Sequence, residues 1–167
     1  MEWSAIEILA ADIDVPAFSI WLPDVLMLPA VISRVAAGTF GLYLETAGIE
    51  SNPAATDIEA LSKALIFLGC RSFWFNGPHA EVWEDAADNA CVAVDELIAA
   101  ESHVVPRDLY EARFTSATVM TTTIGGEKLI DTLEMDDILP PLGPLMTRFY
   151  VTVDRILWEA ARAKLSA

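Results

Sequence analysis

His79 and His103 are the residues best suited to acid–base or metal chemistry, and they lie 24 positions apart. Each has two acidic residues within five positions, Glu81 and Glu84 for the first and Glu101 and Asp108 for the second. An imidazole beside carboxylates can transfer protons or bind a transition metal. A shared site needs both rings in one place, which sequence spacing does not provide. We therefore favour a turn position for His79 and a helix end for His103, and we predict no catalytic residue, metal ligand or cofactor.

Two adjacent carboxylate pairs, Glu84-Asp85 and Asp136-Asp137, raise the question of a divalent-cation site. Neighbouring side chains on a helix point about 100° apart, so a pair alone cannot chelate a cation. Acidic residues at helix starts are the more common role, because they interact favourably with the helix dipole. The chain also lacks the glycine-rich phosphate loop, the dinucleotide fingerprint, the zinc-protease motif and the nucleophile elbow. The sequence thus favours a protein without catalytic activity.

The densest aromatic cluster is Phe73-Trp74-Phe75, which follows Arg71. As a strand, this segment sends Phe73 and Phe75 to one face of a sheet and Trp74 to the other. Exposed tryptophan and arginine side chains are frequent binding hot spots. We therefore predict that Trp74 and Arg71 contact a partner protein, although a core position is the more common role of a single aromatic residue.

Negative charge is concentrated between residues 76 and 111, where nine acidic residues accompany one arginine. Asp95, Glu96 and Glu101 fall near the end of a predicted helix, where the helix dipole disfavours acids by roughly 0.3–1 kcal/mol each. Violations of local preference tend to mark functional surfaces. We predict that these three acids bind a partner. The segment from residue 144 to the end has four bases and two acids, and its Arg155 and Arg162 are the predicted counterpart.

Hydrophobic spacing and capping patterns place these residues on predicted elements. Ser4-Ala5-Ile6-Glu7 and Thr56-Asp57-Ile58-Glu59 resemble capping boxes at helix starts. The segment after Pro23 is apolar on nearly all sides, which is typical of a buried helix. Threonines and β-branched residues flank Gly125-Gly126, which is typical of a hairpin. The predicted helices cover about residues 4–15, 23–46, 56–69, 83–101 and 144–164, and residues 71–75 form a short aromatic run between two of them.

The resulting prediction is a mainly α (α+β) protein with one domain over residues 1–167. It contains about five helices and one β-hairpin near residues 114–133. A length of 167 residues matches one typical domain.

Composition excludes several classes of protein. The chain is 54% apolar and 21% charged, with a formal net charge of −15. This apolar content excludes disorder as the main state, and the negative charge argues against direct binding of nucleic acid or an anionic membrane surface. Arg34 interrupts the most apolar segment, so no membrane span is expected. Two cysteines 21 positions apart and an N-terminus without basic residues before Arg34 favour a cytoplasmic, non-secreted protein.

Three functions are compatible with these observations. The first is an assembly subunit that forms a homo-oligomer or larger complex, as viral particle components do. This function is favoured because few charged residues are available to cover the surface of an 18.2 kDa monomer. Its partner is a protein, most simply another copy of itself. The second is an acidic inhibitor or antidote that imitates nucleic-acid charge to block a basic target. The third is a small enzyme with a His/carboxylate site.

Overall fold

The protein has an α/β fold in the computed structural model, which describes residues 6–8, 17–100, 120–124 and 147–165. The strands are β1 Ile6–Ile8, β2 Ala17–Trp21, β3 Phe40–Glu45, β4 Cys70–Asn76, β5 Met120–Ile124 and β6 Thr147–Thr152. The α-helices are α1 Leu28–Val35, α2 Ala55–Leu68, α3 Ala80–Ala100 and α4 Arg155–Leu165, and a 3-10 turn covers Val25–Met27.

The strands form one six-stranded sheet in the order β1-β2-β6-β3-β4-β5. Only the β1–β2 pairing is antiparallel, and the remaining neighbours are parallel. The prediction of a mainly α (α+β) fold is therefore wrong. Parallel strands need a crossover connection, which explains why helices lie between β2, β3 and β4 in the chain.

The predicted buried helix over residues 23–46 is wrong because the segment contains a helix and a strand. Pro29 lies in the first turn of α1, which ends at Val35. Gly38 then adopts a φ of +88°, which breaks the helical path. All six residues of β3 are buried, since the strand lies between β6 and β4 with helices over its apolar face. A strand buried on both faces has a continuous apolar sequence, and periodicity alone does not distinguish it from a buried helix.

The apolar core lies on one face of the sheet, between the strands and α1, α2 and α3. On this face β3 contributes Leu42 and Leu44, and β4 contributes Phe73 and Phe75. The predicted helix over 56–69 is confirmed as α2, which ends at Gly69 with a φ of +114°. Its capping box does not form, because the N-cap residue is Ala54 and no side chain caps the helix.

The opposite face of the sheet is polar and aromatic. One row across the strands contains Ser19, Tyr150, Tyr43 and Trp74, in that order. The Tyr43 ring stacks on Trp74 at 4.3 Å and on Tyr150 at 4.8 Å between centroids. Helix α4 contacts β2 and β6, and its Arg155 lies over Trp21, which alternates with the core residue Ile20. Helices α3 and α4 therefore lie on opposite faces of the sheet.

Three further predictions of secondary structure differ from the structure. The last helix begins at Arg155 rather than near residue 144, because the β-branched and aromatic residues of 147–152 form β6 in the sheet. Within the predicted hairpin near 114–133, the described residues form β5, which pairs parallel with β4 rather than folding back on a neighbour. Within the predicted first helix, the described residues form the edge strand β1.

In the described part of the chain, no helix is both long enough and apolar enough to cross a lipid bilayer.

Candidate functional site

Helix α3 has a buried face and a charged face. The prediction of a long helix beginning near Trp83 is confirmed, and Trp83 is fully buried against Phe75 at 6.1 Å between ring centroids. The Trp83 indole Nε1–H donates to Asn52 Oδ1 at 3.0 Å, so its polar atom is satisfied. This packing fixes which side of α3 points away from the sheet.

The side of α3 opposite Trp83 is acidic and exposed, and it is called the outer face of α3 below. Five of its residues recur every three to four positions, and Glu96 follows the last of them directly. The residues are Glu81, Asp85, Asp88, Val92, Asp95 and Glu96. Val92 lies in the middle of these acids with 57% of its surface exposed. The helix contains six acidic residues and no basic residue. From Glu81 to Glu96 this surface is ~22 Å long at the helical rise of 1.5 Å per residue.

Helix α4 is the basic counterpart, and its first turn is well defined. The Asp154 carboxylate caps it by accepting from the backbone N–H groups of Ile156 at 2.8 Å and Leu157 at 3.1 Å. Trp158 packs inward and is 2% exposed. Three bases and one acid give the helix a net charge of +2.

Arg155 and Arg162 of α4 both interact within the chain. The Arg155 guanidinium lies 4.5 Å from the Trp158 ring centroid and 5.0 Å from that of Trp21. It also pairs with Glu159 at 3.0 Å, and Arg162 lies over Trp158 at 5.4 Å. The Arg155 side chain remains 54% exposed. These contacts orient the arginines while leaving them accessible to a partner.

Three exposed apolar residues of α4 lie beside the exposed Glu159 on the side of the helix that points away from the sheet, and these three residues are called the outer face of α4 below. It consists of Ile156, Ala160 and Ala163, which are spaced four and three positions apart and are all exposed. Ile156 is the most exposed large apolar residue of the described chain, at 80%. Helix α4 thus combines an apolar surface with flanking positive charge.

The other predicted partner-binding residues occupy different environments. Arg71 is only 4% exposed, and its Nη1 donates to the carbonyl oxygens of Ile66 at 3.1 Å and Cys70 at 2.8 Å. Arg71 therefore holds the end of α2 against β4 rather than forming part of the surface. Trp74 is half-buried against Tyr43. Its role in binding a partner stays a prediction.

Among the described residues, the predicted acids and bases do not form one site within a chain. Asp95 and Glu96 are exposed near the end of α3, and Glu101 lies outside the described residues. Arg155 and Arg162 lie on α4, across the sheet from these acids. Any contact between the acidic and basic surfaces must therefore involve a second molecule.

A hydrogen-bonded cluster joins the carboxyl ends of β3 and β4, and the sequence pattern does not predict it. The Glu45 carboxylate is 2% exposed and accepts from Asn76 Nδ2 at 2.8 Å and from the Ala47 backbone N–H at 2.9 Å. The Thr46 hydroxyl donates to the Asn76 carbonyl at 2.8 Å and accepts from the His79 backbone N–H at 3.2 Å. Polar residues at the carboxyl ends of two neighbouring apolar strands indicate such a cluster, but the sequence pattern does not distinguish β3 from a buried helix.

Gly77 is part of the same cluster because only glycine fits there. Its φ is +100°, and a Cβ would lie 2.3 Å from Glu45 Oε1 and 2.7 Å from Thr46 Oγ1. This cluster connects β3 and β4 to the first turn of α3. His79 therefore lies at the start of α3, and His103 lies outside the described residues, so a site shared by both histidines stays untested.

A cavity of about 600 Å³ lies beyond the carboxyl ends of β2, β3 and β6. Its walls are the segment after β2, the β3–α2 connection and Val153. Three exposed carboxylates line it, those of Asp24, Glu50 and Asp57, and no basic residue does. Its size is within the ~300–1,000 Å³ typical of small-molecule sites. In the described residues, no cluster of three or more His, Cys, Asp or Glu side chains has the geometry to hold a metal ion.

Comparisons with known proteins identify no relative of this chain. No protein-family model matches the chain, and neither the curated proteins nor the solved structures contain a match. The functional interpretation therefore depends on the geometry and charge of the chain's own surfaces.

Proposed function

We propose that the protein is a structural or assembly subunit that associates with further copies of itself through α3 and α4. The observation that carries this proposal is the complementarity of the two outer faces. One is acidic with a central exposed Val92, and the other is apolar with an exposed Ile156 and flanking arginines. An apolar centre with a charged rim is the usual composition of a protein interface.

The charge of the whole chain makes local complementarity necessary. Two copies with a net charge of −15 repel each other at long range. At physiological ionic strength this repulsion is screened beyond a Debye length of ~8 Å, whereas a contact between acids on α3 and bases on α4 acts at shorter range. Arg155 is already oriented by Trp21 and Trp158, so less side-chain entropy is lost when it binds.

The proposal is tested by measuring the mass of the full chain in solution with analytical ultracentrifugation. We expect self-association at micromolar concentration, and we expect the double variant Asp85→Lys/Glu96→Lys to weaken it by about tenfold or more while the thermal midpoint stays nearly unchanged. A strict monomer in both low and high salt contradicts the proposal. Equal association of the wild type and the variant contradicts the role of α3.

A second candidate is an acidic inhibitor that competes with nucleic acid for a basic target. The observation that favours it is the spacing of the acids: Glu81, Asp85 and Asp88 recur about once per helical turn, so their side chains lie roughly 5–6 Å apart. The chain would then displace a labelled DNA duplex from polylysine, and the Asp85→Lys/Glu96→Lys variant would not. No displacement by the wild type eliminates this candidate.

The compartment is part of the proposal. We infer a cytoplasmic location from the sparse cysteines of the sequence. Fluorescence microscopy of the tagged full chain tests it.

A further inference from the structure

We infer that copies of this chain associate head to tail, so that assembly grows into a chain or a ring of more than two copies and does not stop at a two-fold dimer. The inference rests on the proposed function and adds the symmetry of the contact. It is carried by the position of the two outer faces relative to the sheet, since α3 and α4 lie on opposite sides of it.

The position of α3 follows from its core contacts. Trp83, Ala87, Ala90 and Val94 belong to the same buried cluster as Leu42 and Phe75. The outer face of α3 therefore points away from the apolar face of the sheet. Like charges make a direct contact between the outer faces of two α3 helices unfavourable.

The position of α4 follows from its aromatic contacts. Arg155 lies over both Trp21 and Trp158, and Trp21 projects from the polar face of the sheet. Trp158 is buried but is not a member of the apolar core cluster under α3. The outer face of α4 therefore points away from the polar face of the sheet, in the direction opposite to that of α3.

A closed two-fold dimer is incompatible with this arrangement. In such a dimer α3 of each copy contacts α4 of the other, so both helices of one copy must face the same partner. The sheet lies between them, and a copy bound through α3 keeps its α4 accessible to a third copy. A repeated contact of this heterologous kind produces a ring when the rotation closes and an open filament when it does not.

The packing of the two outer faces supports a helix-to-helix contact. Exposed residues on α3 recur at positions 81, 85, 88, 92 and 95, and those on α4 at 156, 160 and 163. Both series follow the spacing of three and four that allows ridges of one helix to pack into grooves of another. The two alanines of α4 permit close approach, and Ile156 and Val92 provide the apolar contact.

Two variants each block one of the faces. Val92→Lys places a positive charge at the centre of the α3 surface and leaves α4 intact. Ile156→Gln/Ala160→Gln removes the apolar surface of α4 without changing charge and leaves α3 intact. Both changes are at exposed positions, so the fold is expected to persist, which circular dichroism verifies. Leu26→Lys is the matched control, because Leu26 is an exposed apolar residue on neither helix.

The decisive measurement is the mass distribution of the full-length proteins and of an equimolar mixture of the two blocked variants. We expect the wild type and Leu26→Lys to exceed two copies and to grow with concentration. Each blocked variant alone should associate at least about tenfold more weakly, which corresponds to ~1.4 kcal/mol. Their mixture should form a complex of two chains and no larger species, because only one intact α3 and one intact α4 remain available.

The contrary outcomes are distinct. A wild type that stops at two copies overturns the head-to-tail inference while leaving self-association intact. The head-to-tail inference is also overturned if Ile156→Gln/Ala160→Gln abolishes dimers while Val92→Lys has no effect. This result indicates a symmetric contact between the α4 helices of two copies. A wild type that remains monomeric overturns the proposed function itself.

Discussion

Helices α3 and α4 both carry many charged residues, but those charges have different partners. On α4, Arg155 interacts with Glu159 and with two tryptophan rings of its own chain. On α3, six acids occur without a basic residue on the helix, and Glu81 and Asp85 are four positions apart with the same sign. The comparison indicates that the charges of α4 attract one another along the helix, whereas neighbouring acids of α3 repel one another. Local repulsion of this kind makes the outer face of α3 the better candidate for binding.

The largest expected effect comes from removing the aromatic support of α4. Trp158→Ala removes a ring that is 2% exposed and on which Arg155 and Arg162 lie. We expect the free energy of unfolding to fall by about 3–5 kcal/mol, because a large buried side chain is replaced by a cavity. Denaturant titration followed by tryptophan fluorescence measures this change. A loss below 1 kcal/mol would mean that α4 does not depend on Trp158 for its attachment.

The cap of α4 is expected to contribute less. Asp154→Ala removes the carboxylate that accepts from the Ile156 and Leu157 backbone N–H groups. The expected loss is about 1 kcal/mol, within the usual range for an N-cap replaced by alanine. Asp154→Asn is the control, because its side-chain oxygen preserves the cap. Equal destabilisation by both variants would contradict a capping role.

The ion pair on α4 has a smaller expected effect. Glu159→Gln removes the carboxylate that pairs with Arg155, and both side chains are about half exposed. The expected destabilisation is about 0.2–1 kcal/mol and should decrease in high salt. Thermal unfolding at two salt concentrations measures it. If the variant is more stable than the wild type at low salt, the charges of α4 do not stabilise the fold.

The smallest effect, with the opposite sign, is expected on α3. Asp85→Lys converts the like-charged pair Glu81/Asp85 into an oppositely charged pair at i, i+4 spacing. We expect stability to increase by about 0.2–0.5 kcal/mol, because a repulsive pair becomes attractive. Asp85→Asn should give about half of this gain. A clear destabilisation would show that Asp85 stabilises the fold and would remove the contrast between the two helices.

The sequence predicted the elements whose periodicity has one dominant face. Helices α2 and α3 have apolar residues at three- and four-residue spacing, and the aromatic run around Trp74 is compatible with the strand β4 without requiring it. Strand β3 was mistaken for part of a helix because burial on both faces removes the alternation of apolar and polar residues. Strand β6 was mistaken for the start of the last helix for a related reason, since four of its six residues are buried.

The acidic surface was predictable from the sequence, but its geometry was not. The concentration of acids around Glu84 and Asp95 is evident from residue order alone. That α3 and α4 face opposite directions depends on the insertion of β6 between β2 and β3, which is a long-range pairing with no local signal. The burial of Arg71 depends on the same sheet, because its guanidinium reaches carbonyl oxygens that only the α2–β4 packing brings close.

The hydrogen bonds around Thr46 have a mechanical consequence. Since the Thr46 hydroxyl binds both the end of β4 and the His79 N–H, the first turn of α3 is restrained in rotation about its own axis relative to the strands. At the start of α4, the Asp154 backbone N–H donates to the Thr152 hydroxyl of β6 at 3.0 Å, which links this helix to its strand in a similar way. These contacts restrain the angle between the two helices within each copy. In a head-to-tail filament that angle sets the helical pitch, so loosening the Thr46 contact would change the pitch before it changed the strength of association.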